Sequence, residues 1–111
     1  MSESRAASLA RLERDLLAAT MNDVRECRRI GYDPHIFLDM IHRHRIVEAC
    51  RRVVMELPAN QAPYGFGRLW ELGRLDLTVE TAMGRERWFP LFGDDVRERA
   101  AARLRHFEPR T

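Results

Sequence analysis

Apolar residues recur at helical spacing along the first third of the chain. Leu9, Leu12, Leu16, Ala19, Val24 and Cys27 share one face when projected at about 100° per residue, and Ile30 extends it. Leu17 and Met21 widen the stripe, while Arg11, Arg14, Arg25 and Arg29 fall on the other side. The pattern predicts one long amphipathic helix over residues 4–30, with residues 1–8 frayed and Gly31 as its stop. Asp33 and Pro34 predict the next start, with aspartate as N-cap and proline at the first helical position. Ile36, Phe37, Met40, Ile41 and His44 form one apolar face, and Val47, Cys50, Val54 and Leu57 form another. Periodicity alone leaves open whether 34–57 is one helix or two with a bend near Arg45.

The second half is denser. Pro58 to Pro63 reads as a linker. Phe66, Leu69 and Trp70 predict a short helix over 65–72, closed by Gly73. Thr78 predicts the cap of a second short helix over 79–84. Trp88 to Phe92 reads as a hydrophobic plug. Asp94 to Phe107 is the last helix, with Val96, Ala100, Leu104 and Phe107 as its stripe. Asp94 and Asp95 at its start, and Arg103, Arg105 and His106 near its end, complement the helix dipole. The alternation over 75–79 is too brief for a sheet strand. The expected fold is all-α: a small orthogonal or irregular bundle of about five helices in one domain, residues 1–111.

Composition narrows the classes. With 111 residues, 45% hydrophobic and 32% charged, the chain suits a single globular domain. No apolar run approaches the ~20 residues of a membrane span. The N-terminus lacks the apolar block of a secretory signal, so a cytoplasmic protein is expected. The two cysteines, Cys27 and Cys50, are then free buried thiols. All 19 basic residues are arginine. Without lysine there is no Schiff base and no P-loop.

Candidate chemistry is sparse. His35, Asp39 and His42 stand at i, i+4 and i+7, a spacing that suits metal ligands, but no cysteine joins them, and the expectation is a polar solvent face with no metal. His44 lies within an apolar face and is expected as a hydrogen-bonded core histidine. Cys50 can be paired with His42 or His44, but a mid-helix thiol among apolar neighbours is a poor nucleophile. No catalytic residue or cofactor is assigned. Around Trp70, charge alternates with large apolar residues. Glu71, Arg74, Asp76 and Glu80 are expected to form an Arg–carboxylate staple, with Trp70 and Arg74 as anchors should the patch be a recognition surface. Arg25, Arg28 and Arg29 could combine with Arg43, Arg45, Arg51 and Arg52 into a basic surface for nucleic acid. The net charge of only +2 and the interleaved acids argue against it.

The chain resembles a family of small bacterial helical proteins with no established activity. The resemblance rests on Gly31-Tyr32, Phe37-Leu38, Met40 to His42, His44, Gly65-Phe66, Leu69 to Glu71 and, most specifically, Gly73 to Glu80. Trp88, Leu91-Phe92 and Ala102 to Arg105 complete it, so that it covers about residues 31–107. In that family a glycine pair follows the second histidine. Here Arg45 and Ile46 stand there, which implies a straighter helix through 44–47. The resemblance implies a bacterial, cytoplasmic, helical protein and brings no site residues.

The functional expectation is a non-catalytic interaction module or accessory subunit. It would bind another protein, or a second copy of itself, through helix 4–30 or segment 64–92. An Arg-mediated nucleic-acid binder is the alternative, and a metal- or thiol-dependent enzyme is the second alternative.

Overall fold

The structure, a computed structural model, describes residues 4–109. Its elements are helices α1 (Arg5–Arg29), α2 (His35–Met55), α3 (Tyr64–Glu71), α4 (Val79–Met83) and α5 (Asp94–His106), with 3-10 turns at Leu75–Leu77 and Glu86–Leu91. No strand occurs among the described residues, and the fold class is all-α as expected. The fraying expected at residues 1–3 lies outside the described residues. From Ser4 onward there is none: the Ser4 hydroxyl accepts the Ala7 N–H at 3.1 Å and the helix begins at Arg5.

Helix ends follow the local chemistry. At Gly31 the backbone turns to φ +94°, and the Tyr32 N–H reaches back to the Cys27 carbonyl at 2.9 Å. This is the left-handed closure that glycine allows without a Cβ penalty. Gly73, at φ +71°, closes α3 the same way, with the Arg74 N–H on the Leu69 carbonyl at 2.8 Å. Thr78 caps α4 by accepting the Thr81 N–H at 3.2 Å. Asp33 does not cap α2. Pro34 occupies the cap position, and the Asp33 carboxylate accepts instead from Arg28 Nε at 3.2 Å.

The straight helix expected through 44–47 is overturned. Arg45 has φ 70° and ψ 169°, so α2 is two helical halves joined at a break. A Cβ fits poorly in that backbone region, which glycine alone occupies readily. The break lets the two halves face different surroundings. Beyond it, Ile46, Cys50 and Val54 enter the main core with Leu16, Met83, Trp88, Phe92, Val96 and Ala100. Before it, Phe37 and Ile41 pack at the core's margin, and Ile36 is 58% exposed. His44, expected in the core, is only half-buried beside the break.

The C-terminus of α2 is held by α5. Arg99 Nη1 donates to the Leu57 carbonyl at 2.7 Å, and Arg103, one turn later, reaches the same end. Helix C-termini carry unsatisfied carbonyls and partial negative charge, which cations offset. Arg103, expected near the end of α5 as a complement to the helix dipole, is fully buried, while Leu104, expected on the apolar stripe, is only half-buried. The plug over 88–92 forms a 3-10 turn with Trp88 and Phe92 buried.

Candidate functional site

An apolar pocket of about 310 Å³ opens between α1, both halves of α2, α3 and α4. Each wall follows from local sequence. The C-terminal half of α1 turns Thr20, Asp23, Val24 and Cys27 to one side, and the spacings of three and four put them on one helix face. The break at Arg45 allows Phe37 and Met40 from one half of α2, and Cys50 and Val53 from the other, to line the same space. Phe66 and Leu69 of α3 close the far side. Gly65 leaves room there: a Cβ at this position would stand 2.6 Å from the Tyr32 hydroxyl and would displace the phenol. Its absence lets the Tyr32 phenol lie close to α3, with the Tyr32 and Tyr64 ring centroids 6.4 Å apart. Ile36 and Tyr64 stand exposed at the rim, at 58% and 68%.

The electrostatics of this pocket have one sign. Its titratable lining includes Asp23, Glu56 and Glu80 and no arginine or histidine. Glu80 is already matched by Arg103. Burial pushes the Asp23 carboxyl up, Arg85 opposes that, and Asp76 reinforces it. Burial likewise raises the Tyr32 phenol and holds the Cys27 thiol at about 11 and the Cys50 thiol at about 12. At neutral pH both thiols are protonated, which removes the nucleophile that a Cys50–histidine pair would need.

The expected staple forms in part. Arg74 Nε and Nη2 donate to the Asp76 carboxylate at 3.0 and 3.1 Å. Its second partner is not from the turn at all: Nη1 donates to Glu26 of α1 at 3.0 Å. Glu71 pairs with Arg68 at 2.8 Å, and Glu80 with buried Arg103, so neither belongs to the staple. Trp70 is half-buried, its indole N–H donating to the Glu108 carbonyl at 2.7 Å and its ring meeting Phe107 edge-on at 6.1 Å. It anchors the residues that follow α5 to α3.

Hydrogen bonds from Arg29 and Arg74 hold the Glu26 carboxyl down at about 2, and those from Arg51 and Arg52 hold Glu48 there too. A carboxyl lowered in the folded state contributes fully above the ordinary glutamate range and loses that contribution as pH falls towards about 2. Glu26→Gln is therefore expected to flatten the acid limb of stability against pH. Urea midpoints between pH 5 and pH 2 check this, and an unchanged limb would refute the Arg74–Glu26 assignment.

The other candidates are dispersed. His35, Asp39 and His42 are all exposed on α2, and Asp39 pairs with Arg43 at 3.0 Å. Among the described residues no three histidine, cysteine or acidic side chains are grouped closely enough to hold a metal. Arg25 bonds the Asn22 side chain, Arg28 bonds Asp33, Arg29 bonds Glu26, and Arg51 and Arg52 share Glu48. Each cation proposed for nucleic acid is thus engaged by an oxygen of this chain. No helix among the described residues is long and apolar enough to cross a membrane.

Sequence reasoning missed the pocket and the Arg103–Glu80 pair. The pair had a signal: Arg103 stands seven residues after Val96 and three after Ala100, on the buried stripe itself. No family model, no curated protein and no solved structure matches this chain.

Proposed function

We propose that the protein is a non-catalytic interaction module, an accessory subunit that receives apolar side chains of a partner protein in the pocket between α1, α2 and α3. The observation that carries the reading is that pocket, about 310 Å³ in volume, apolar in most of its lining and rimmed by exposed Ile36 and Tyr64. Exposed large apolar residues beside a concave apolar surface are the usual ground for docking. Helix α1 supports the reading less than its length suggested. Of its large apolar residues, Leu17 is the exposed one, at 37%. On this reading the module acts in a bacterial cytoplasm, where its thiols stay reduced.

The test compares partner capture by three forms of the protein. Ile36→Asp combined with Tyr64→Asp is expected to abolish retention of whatever the unmodified protein retains. Leu17→Asp, outside this pocket, is expected to leave it intact. Retention indifferent to the rim substitutions refutes the reading.

A further inference from the structure

The pocket's charge specifies more than its shape. The chain has 19 arginines, yet none of them lines this space, and three acids do. Glu80 is neutralised by Arg103 at 2.8 Å. Glu56 is exposed at the margin. That leaves Asp23, half-buried on the α1 wall, with the Thr20 hydroxyl one helical turn before it on the same face. Arg85 is the nearby cation, but it is exposed and outside the lining. A carboxylate in an apolar wall is costly unless a cation or donor joins it.

The fold itself shows what a buried guanidinium requires here. Arg103 takes five oxygen acceptors: the Gln61, Val54, Leu57 and Pro58 carbonyls and the Glu80 carboxylate. Around Asp23 the lining offers one carboxylate and one neighbouring hydroxyl. The three donors of an ammonium can be met there by that carboxylate, the hydroxyl and solvent at the pocket mouth, whereas a guanidinium would bring five N–H groups.

Resting on the reading of the pocket as a docking site, we infer that its occupant is a lysine-bearing apolar segment of a different protein, the lysine ammonium pairing with Asp23 while its stem and neighbouring apolar side chains fill the space beside Phe37 and Phe66. A second copy of this chain has no lysine to offer.

The test uses three probes of equal chain length on the unmodified protein: n-octylammonium, n-octanol and n-octanoate, titrated at neutral pH and followed by amide NMR. The expected result is saturable binding of the ammonium, with shifts centred on Asp23, Val24 and Phe37, about ten-fold tighter than the carboxylate and with the alcohol between. In Asp23→Asn the ammonium is expected to bind no better than the alcohol. Met40→Trp, which fills the space while keeping Asp23, is expected to weaken all three. Equal binding of the three probes overturns the ammonium assignment and leaves the pocket as a docking site. Binding of none overturns both. Tighter binding of the carboxylate overturns the assignment outright. The comparison on the unmodified protein decides the matter even if Asp23→Asn fails to fold.

Discussion

Replacing Arg103 with methionine is expected to destabilise the protein by about 3–5 kcal/mol, the usual consequence of removing one partner of a buried ion pair. Arg103 is 0% exposed and Glu80 1%. All five guanidinium N–H groups are used: Nε on Gln61 at 2.9 Å, Nη1 on Val54 at 3.1 Å and Glu80 at 2.8 Å, and Nη2 on Leu57 at 2.7 Å and Pro58 at 3.2 Å. One side chain therefore satisfies the C-terminus of α2, the linker after it and the only acid of α4. Burial drives the Glu80 carboxyl upward and Arg103 pulls it back, so removing the cation leaves a carboxyl that must take up a proton to stay inside. Methionine matches the length of the stem but donates nothing, and four carbonyls lose a partner as well. Since small domains retain roughly 5–15 kcal/mol in total, Arg103→Met should bring the protein near the edge of folding at 25 °C. Arg103→Lys keeps the charge with three donors in place of five, so it should recover only part of the loss. Glu80→Gln leaves the guanidinium without its counter-charge but keeps a hydrogen-bonding group of the same shape and all four carbonyl contacts, so it should fall at the low end of the range given for Arg103→Met, about 3 kcal/mol. Urea denaturation of the three variants checks the order. An Arg103→Met midpoint equal to that of the unmodified protein would mean that the guanidinium is not the joint described here.

That joint explains where sequence reading stopped. The long helix, the Thr78 cap and the glycine stops at 31 and 73 were legible because each rests on residues within a turn of one another. A buried arginine was not, because charge on a helix end is ordinarily a surface feature. The positions 96, 99, 100, 103 and 107 form one stripe, and Arg103 was read only as a cation near the helix end that complements the dipole. Glu80 was drawn towards Arg74, its sequence neighbour, whereas its partner lies 23 residues away. Arg74 in turn took Glu26, 48 residues distant. The pocket was invisible for the same reason. Its lining comes from α1 through α4, and no short window contains the opposing walls.

The break in α2 was legible only as an open choice, and it yields a substitution that should make the protein more stable. Arg45 holds φ 70° and ψ 169°, a backbone state that costs a residue with a Cβ about 1–3 kcal/mol. Glycine removes that penalty. It brings two losses: about 0.5–1 kcal/mol of added freedom in the unfolded chain, and the ion pair between Arg45 and Glu13. The pair spans 3.3 Å with the arginine side chain 81% exposed, so it contributes about 0–1 kcal/mol. Arg45→Gly is accordingly expected to gain about 1 kcal/mol and raise the melting temperature by several degrees. Arg45→Ala separates the causes, since it loses the ion pair but keeps the Cβ, and it should show no gain. Ile46, the next residue, is 3% exposed in the main core, so a glycine there should destabilise instead. The break sends Ile46, Cys50 and Val54 into the core while Phe37 and Met40 roof the pocket, so Arg45→Gly should leave probe binding unchanged as stability rises. A lower melting temperature for Arg45→Gly than for Arg45→Ala would show that the backbone at this point is not strained.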